Sequence, residues 1–482
     1  MNKTSIAVAV SCVLAAMQPA FADDNGPQSG APVATPSVAA GGVSPAAETK
    51  NAVVNAEDAQ TASQIVQVSS QAKSQGFIAD SHLSVLFRNY SDYADVTGSA
   101  RRHAWVQSAM LNYESGFTKG LIGFGIDASL YAALKLDGGT GAGNMVHVSK
   151  TGNGANQLAW AYPGIFDVKA RISETVVRYG EQIVTNPFVE PHDNRALPPT
   201  FRGITMTSNE WSSLSLDAGS FDAVRARGTD YLQKLSTSYG GTQFDRLTWF
   251  GGNWNFSENG TASLYADQAQ DVWKQYYGSV TDSIGSVNTI KWTGLANLYA
   301  TRGDGENRQG PIDSNAYSLS LSAQHGFSEV LVAYQKILGN QFFDYVNQTN
   351  GVYLANSMDV DYNAPHEQSL QLRYTFYGDQ AGLPGFKAML WAVTGWGANA
   401  SAGASENASS SATYHDLYWK NGSYIQGRHH EIGFMPSYKV QSGRFKGTKV
   451  SLFAAWHVGS TYYSDTTSQE YRLTVNMPFK FF

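Results

Sequence analysis

The side chains best suited to chemistry are scattered along the chain rather than gathered. There are ten histidines. His429 and His430 adjoin each other before Glu431, but neighbours in an extended chain point to opposite faces, so both cannot hold one ion. Asp304 and Glu306 flank Gly305 and have the oxygen donors that calcium requires, although a solvated turn accounts for them without an ion. Gly138 to Gly143 is glycine-rich, yet no crossover helix follows to complete a phosphate cradle. No serine, histidine and aspartate can be grouped as a nucleophilic triad. The single cysteine, Cys12, leaves no thiolate set for a metal and no disulfide. A formal net charge of -6 without a basic stripe argues against nucleic acid. Neither an enzyme nor a cofactor is expected.

The remaining question is what elements such a chain builds. Charged residues make up 15% of the 482, against about a quarter in ordinary soluble proteins, while aromatics reach 12% and there are 47 glycines. Mean hydropathy is only -0.28, and no long apolar run after the N-terminus could span a bilayer as a helix. That composition suits a membrane barrel, and by itself suits a secreted β-sandwich array or β-helix equally well. Lys3, the apolar stretch from Ser5 to Ala16 and Ala20-Phe21-Ala22 read as a signal peptide over residues 1–22. Residues 23–75 lack aromatics and are rich in Ala, Pro and Ser, so a disordered periplasmic extension is expected there, followed by a barrel domain over 76–482.

Alternation carries the fold class. From Gly120 to Asp137, Ile122, Phe124, Ile126, Ala128, Leu130, Ala132, Leu134 and Leu136 alternate with Gly123, Gly125, Asp127, Ser129, Tyr131, Ala133, Lys135 and Asp137. One face is wholly apolar and the other mixes charge, hydroxyl and glycine. The period of two runs far beyond an ordinary strand of about five or six residues, and fits a tilted strand that crosses a membrane and continues outward. The pattern recurs at Ser81 to Tyr90, at Lys449 to Val458 and at Tyr471 to Phe479. Short turns such as Glu258-Asn259-Gly260 and Gln324-His325-Gly326 alternate with long polar loops, notably 138–160 and 396–424. The last strand ends on Phe481 and Phe482, of which Phe482 is out of phase with the apolar face.

Specific runs then resemble one family, the OprD-type substrate-specific porins. Gly76-Phe77-Ile78-Ala79-Asp80-Ser81 leads to Leu86-Phe87-Arg88-Asn89-Tyr90 as in the family's first strand. Tyr113-Glu114-Ser115-Gly116-Phe117-Thr118, followed by Gly123 to Ala128, resembles its next hairpin. Gln275-Tyr276-Tyr277, Ala333-Tyr334-Gln335-Lys336, Phe343-Asp344-Tyr345-Val346-Asn347, Leu383-Pro384-Gly385 and Val440-Gln441-Ser442-Gly443 continue the match in order. The resemblance implies an all-β, 18-stranded antiparallel transmembrane barrel with inward-folded constriction loops and both ends in the periplasm. It implies an outer-membrane location among lipid and lipopolysaccharide, insertion by the barrel-assembly machinery that reads a C-terminal aromatic, and a monomeric pore that sometimes forms loose trimers.

The family's lumen carries a ladder of basic side chains, suited to carboxylates because a guanidinium stays charged and donates paired hydrogen bonds. Matched position by position, Arg88, Arg171, Arg373 and Arg472 fall on it, and alternation turns each toward the lumen. Trp391, Ser451 and Phe453 stand where ladder arginines are expected, while Lys387, Lys439 and Lys449 have lumenal parity. The constriction loop should lie within 186–203, with Asp193, Arg195, Leu197, Pro198 and Phe201, and a second inward segment should include Tyr345, Asn347 and Asp361. The resemblance therefore implies diffusive uptake of amino acids, aromatic acids or other small carboxylates. Trp391 and Phe453 in place of cations lower the expected anion preference, and leave sugars as an alternative solute. An adhesin or an outer-membrane hydrolase is the remote alternative, the latter needing a serine and histidine on the outer surface.

Overall fold

The structure is a computed structural model that describes residues 71–99, 101–136, 159–350, 353–410 and 412–482. Eighteen strands form one sheet. The first six are β1 (His82–Val96), β2 (Arg102–Glu114), β3 (Ile122–Lys135), β4 (Ala159–Ile172), β5 (Thr175–Gln182) and β6 (Thr200–Trp211). Next come β7 (Leu214–Arg225), β8 (Leu247–Asn255), β9 (Thr261–Ala269), β10 (Trp273–Gly285), β11 (Lys291–Gly303) and β12 (Asp313–His325). The circuit is completed by β13 (Ser328–Gly339), β14 (Gln368–Tyr377), β15 (Phe386–Asn399), β16 (Gln426–Lys439), β17 (Lys449–Gly459) and β18 (Ser468–Lys480). Each strand pairs antiparallel with its neighbour in sequence, and β1 pairs β18 from Ser84 opposite Lys480 to Val96 opposite Ser468. That last pairing leaves no free edge, the only way a sheet can satisfy its backbone in lipid.

Side-chain alternation sorts the two faces. On β3, Phe124, Leu130 and Leu134 are exposed on the outside, whereas Asp127, Tyr131 and Lys135 are buried within. Leu264, Leu298, Leu319, Leu321, Val332, Leu372, Leu390 and Ile432 continue the outer apolar belt around the circumference. An apolar patch of such extent is far beyond what soluble proteins expose, and it needs lipid to cover it. Exposed Trp211, Trp254 and Trp292 lie toward the end where the chain termini lie, and Trp105, Trp396 and Trp456 toward the other, as aromatic girdles at two interfaces require.

Connections at the terminal end are short, such as 173–174, 212–213 and 326–327, and the longest described there is 440–448. At the other end lie 183–199, 226–246, 340–367 and 400–425. Most of the described residues of 183–199 and 340–367 are buried, as is the stretch 237–240 of 226–246, so these loops fold into the barrel. The loop 400–425 carries two short helices, Ser401–Glu406 and Ala412–Asp416, and packs through buried Ala400, Ala404, Tyr414 and Tyr418. The long loop read at 138–160 lies almost wholly outside the described residues, as do the signal peptide and residues 23–70 of the extension.

Gln71 lies five residues before the barrel boundary read from sequence, and it is tied to the barrel. Gln71 donates through Nε2 to the carbonyls of Thr118 at 2.9 Å and Gly120 at 3.1 Å, and through its backbone to Ser173. Glycine at position 123 leaves room for this strap, since a Cβ there would meet the end of the Gln71 side chain at 2.3 Å and displace it.

The lipid-facing belt yields a direct prediction. Leu372→Arg, midway along β14, should cost about 2–4 kcal/mol of stability in vesicles, and Phe481→Arg at the rim about 0–1 kcal/mol. Urea unfolding in lipid reads both; equal costs would contradict the assignment of the outer face.

Candidate functional site: a loop-filled, charge-lined lumen

The wall of β1, β2 and β18 presents inward-facing Arg88, Asp92, Arg102, Glu470 and Arg472. Arg88 grips Asp193 of the loop 183–199 through both guanidinium nitrogens, at 2.5 and 2.8 Å, and donates to the Arg195 carbonyl at 2.8 Å. Ser108 on β2 adds a bond to the Ala196 carbonyl. The loop 183–199 is therefore stapled to the wall through Arg88, one of the expected ladder residues. Arg472 pairs with Glu470 at 2.9 Å and lies 4.5 Å from the Phe453 ring centroid. Arg102, which the sequence reading did not single out, bridges Asp92 at 2.7 Å and Glu470 at 2.9 Å. Arg88 and Arg472 thus face the lumen as expected, but each is already held by a carboxylate.

Arg171 also points inward, yet it sits at the terminal end beneath the N-terminal strap, with Nε donating to Gln71 Oε1 at 3.0 Å and its guanidinium over Phe117. It is not among the residues that line the cavity of Arg373, Lys387 and Lys449 described below. Phe201, read as part of the constriction loop, is the second residue of β6 and stacks on Phe221 at 5.6 Å. The loop ends where its backbone finds a strand partner, two residues earlier.

The second inward segment is a web of hydrogen bonds. Asp361 accepts from Tyr239 at 2.7 Å, from Tyr345 at 3.0 Å and from Ser357. Asp344 accepts backbone bonds from Tyr239 and Gly240, each 2.9 Å. Burial still raises the Asp344 carboxyl above its usual range, against those bonds. Tyr345 and Asp361 are buried in this web, and Asn347 is half-buried with its backbone donating to Ser236. Bridges Pro191–Thr349 and Thr237–Val346 tie this loop to 183–199 and to 226–246. The loop 226–246, with its hairpin Leu235–Ser236 and Gln243–Phe244, was not foreseen as an inward element. From the wall, Glu431 of β16 holds the backbone amides of Asp359 at 3.0 Å and Val360 at 2.9 Å, and accepts from Trp391. Burial, and then the nearby Glu470 and Glu431, push the Asp359 carboxyl well above its usual range.

Trp391 and Phe453 have the lumenal parity expected of them. Their rings pack against each other at 5.6 Å within a cluster that includes Met358, Val360, Met389 and Val393. They are used for packing, so the expectation that their faces lie open to a solute does not hold.

Toward the terminal end the lumen opens into a cavity lined by Glu329, Arg373, Thr375, Tyr377, Lys387, Met389, Met435, Ser437, Lys449 and Ser451. Here three predicted residues, Arg373, Lys387 and Lys449, come together with one carboxylate. Arg373 Nε is buried without a hydrogen-bond partner among the described residues. Lys387 lies 5.2 Å from the Tyr377 ring centroid. Lys439 stands opposite Lys449 in register and is exposed at the end of β16. Asp304 pairs with Lys274 at 2.8 Å and Glu306 with Arg308 at 3.2 Å, so this turn is an ion-pair network. No group of three or more metal-ligating side chains occurs among the described residues.

A closed barrel with a lipid-facing belt and a polar lumen narrowed by folded-in loops is an outer-membrane porin. This chain belongs to the OprD family of outer membrane porins, whose family model matches residues 75–481. It is 33% identical over 433 residues to Porin D of Pseudomonas aeruginosa, covering 85% of this chain and 93% of that one. It is 30% identical over 422 residues to the porin-like protein GalP of Pseudomonas putida, covering 85% and 94%. Among solved structures, OccD3 (OpdP) of Pseudomonas aeruginosa matches with a TM-score of 0.75 and 33% identity, over 86% of this chain and 95% of that one. OpdK of the same organism, solved with vanillate, matches at 0.74 and 27% identity, over 84% and 100%. The protein is an outer-membrane channel for uptake of small solutes, with its short turns on the periplasmic side.

Removing the Asp193 carboxylate should show what the staple does. Asp193→Ala is expected to cost about 1–3 kcal/mol, below the full value for a buried pair because Asp193 is 32% exposed. It should also move the reversal potential toward anions. A stable variant with unchanged selectivity would mean that the loop is held without this pair.

Proposed function

We propose that the channel carries small organic solutes bearing a carboxylate, such as amino acids and aromatic or other small acids, with a modest preference for anions. The observation that carries this reading is the periplasmic cavity. Arg373, Lys387 and Lys449 line it together with Glu329, and Arg373 Nε has no hydrogen-bond partner among the described residues. A buried, unmet guanidinium donor favours an oxyanion, and Thr375, Ser437 and Ser451 add hydroxyl groups beside it. That the related OpdK was solved with vanillate, an aromatic carboxylate, supports the same class.

The modest preference follows from the charges that are spent. Arg88 is bound to Asp193 and Arg472 to Glu470, so two ladder positions that would otherwise attract anions are neutralised in place. Sugars as the main solute are disfavoured, since Trp391 and Phe453 pack against each other in a buried cluster instead of offering an open ring face. The N-terminal 22 residues act as an export signal in this reading, and the pore unit is one chain.

Reversal potentials in planar bilayers test the proposal. Arg373→Ala should shift selectivity toward cations and weaken block by benzoate, whereas Arg171→Ala, at the Gln71 strap, should leave both unchanged. Equal effects, or none from Arg373→Ala, would remove the cavity from the solute path.

A further inference from the structure

A buried cluster at the extracellular end has no part in that reading. His429 on β16, His457 on β17 and Glu367, the residue before β14, are fully buried. They form a row. His457 Nδ1 lies 3.0 Å from the Thr466 carbonyl, His457 Nε2 lies 2.8 Å from His429 Nδ1, and His429 Nε2 lies 2.8 Å from Glu367 Oε1. The carbonyl can only accept, so a hydrogen-bonded row needs a proton in each of these three gaps. Two neutral imidazoles supply two. The third is an additional proton, carried by Glu367 or by an imidazole.

The surroundings are built around that row. The rings of Tyr362 and Tyr463 enclose His429 at 4.0 and 3.9 Å. Glu367 Oε2 accepts from the Tyr463 hydroxyl at 2.8 Å and from the Ala364 amide at 3.0 Å. On β15, position 395 is glycine where a Cβ would meet Glu367 Oε1 at 2.5 Å and the Tyr362 ring at 2.6 Å. Through its backbone, Glu367 also bonds Ile337 and Ala364, closing the loop 340–367 that carries Asp359 and Asp361.

We propose that Glu367 is the positioning residue that seats the constriction loop 340–367 in the lumen, and that the seating depends on the proton shared along the His457–His429–Glu367 row. Among the described residues, the other charged or titratable groups around it are Asp359, Asp361 and Tyr362 of the same loop, Glu431 and the outward His430 on β16, Tyr463 and Asp465 of the loop 460–467, and Lys420 of the loop 400–425. Burial raises the seated Glu367 carboxyl from 4.5 to about 8, against the Tyr463 and Ala364 hydrogen bonds. Between those values the seated carboxyl keeps a proton that a freed, hydrated one has lost. Seating therefore weakens as pH rises through that window and weakens no further above about 8.

Single-channel recordings of the full chain from about pH 6.5, above which a freed imidazole is neutral like a seated one, to about pH 9 test this. Conductance and open-channel noise should rise with pH and level off above about 8. Glu367→Gln places an amide donor toward His429 Nε2 and a carbonyl toward Tyr463 and Ala364, so it should keep the low-pH conductance and lose the pH response. Tyr463→Phe removes a hydrogen bond that favours the ionised carboxyl, so it should move the levelling point to higher pH. A wild-type pH response in Glu367→Gln would overturn the proposal, as would a folded Glu367→Gln channel that is already noisy at the acid end. If Glu367→Gln does not fold, an unshifted levelling point in Tyr463→Phe overturns it.

Discussion

Lipid offers no hydrogen bonds, and the rest of this molecule follows from that one constraint. Every backbone amide and carbonyl at bilayer depth must find a partner within the chain, and a sheet does so only when its last strand returns to its first. The thirteen register pairs between β1 and β18 make that closure. Closure then divides each strand into two populations of side chains, and it encloses a volume too wide for wall residues to fill. What occupies that volume decides what the protein does.

Here the volume is filled by chain. The loops 183–199, 226–246 and 340–367 leave the extracellular rim and turn inward, each held by wall or loop groups chosen for the purpose. Arg88 takes the first through Asp193, and Glu431 takes the third through two backbone amides. A polar wall facing inserted backbone is the complement of an apolar wall facing lipid, and both arise from the same alternation. The cost falls on electrostatics. Lumenal cations that could have drawn anions along the whole wall are paired with Asp92, Asp193 and Glu470, while Arg373, Lys387 and Lys449 line the periplasmic cavity with Glu329.

Much of this was legible before any coordinates. Period-two alternation is a local signal, so β3 is legible from its own residues, and parity puts Arg88, Arg171, Arg373 and Arg472 on the face that is buried in the barrel. The resemblance points to an inward loop within 186–203 and a second segment with Tyr345, Asn347 and Asp361, and these residues lie in the buried loops 183–199 and 340–367, except Phe201 and its neighbours in β6. What could not be read were meetings between residues far apart in sequence. Asp193 lies 105 positions from Arg88, and Glu367 lies 62 from His429, so no spacing rule joins them. The same blindness left Arg171 on the open ladder when Gln71 covers it, and offered Trp391 and Phe453 as free surfaces when they pack on each other. His429 and His430 were read correctly as facing opposite ways. The consequence was missed, because the inward one finds its partners on β17 and in a loop.

The central claim is the division of each strand into an oily outer and a wet inner set, and cysteine accessibility along β14 tests it most directly. On a background with Cys12→Ser, single cysteines at Leu370, Leu372, Arg373, Tyr374 and Thr375 are exposed in vesicles to a charged, water-soluble thiol reagent and to a lipid-soluble one. Arg373→Cys and Thr375→Cys should react with the charged reagent, and Leu370→Cys, Leu372→Cys and Tyr374→Cys only with the lipid-soluble one. Reactivity that ignores this parity, or reverses it, would contradict the account.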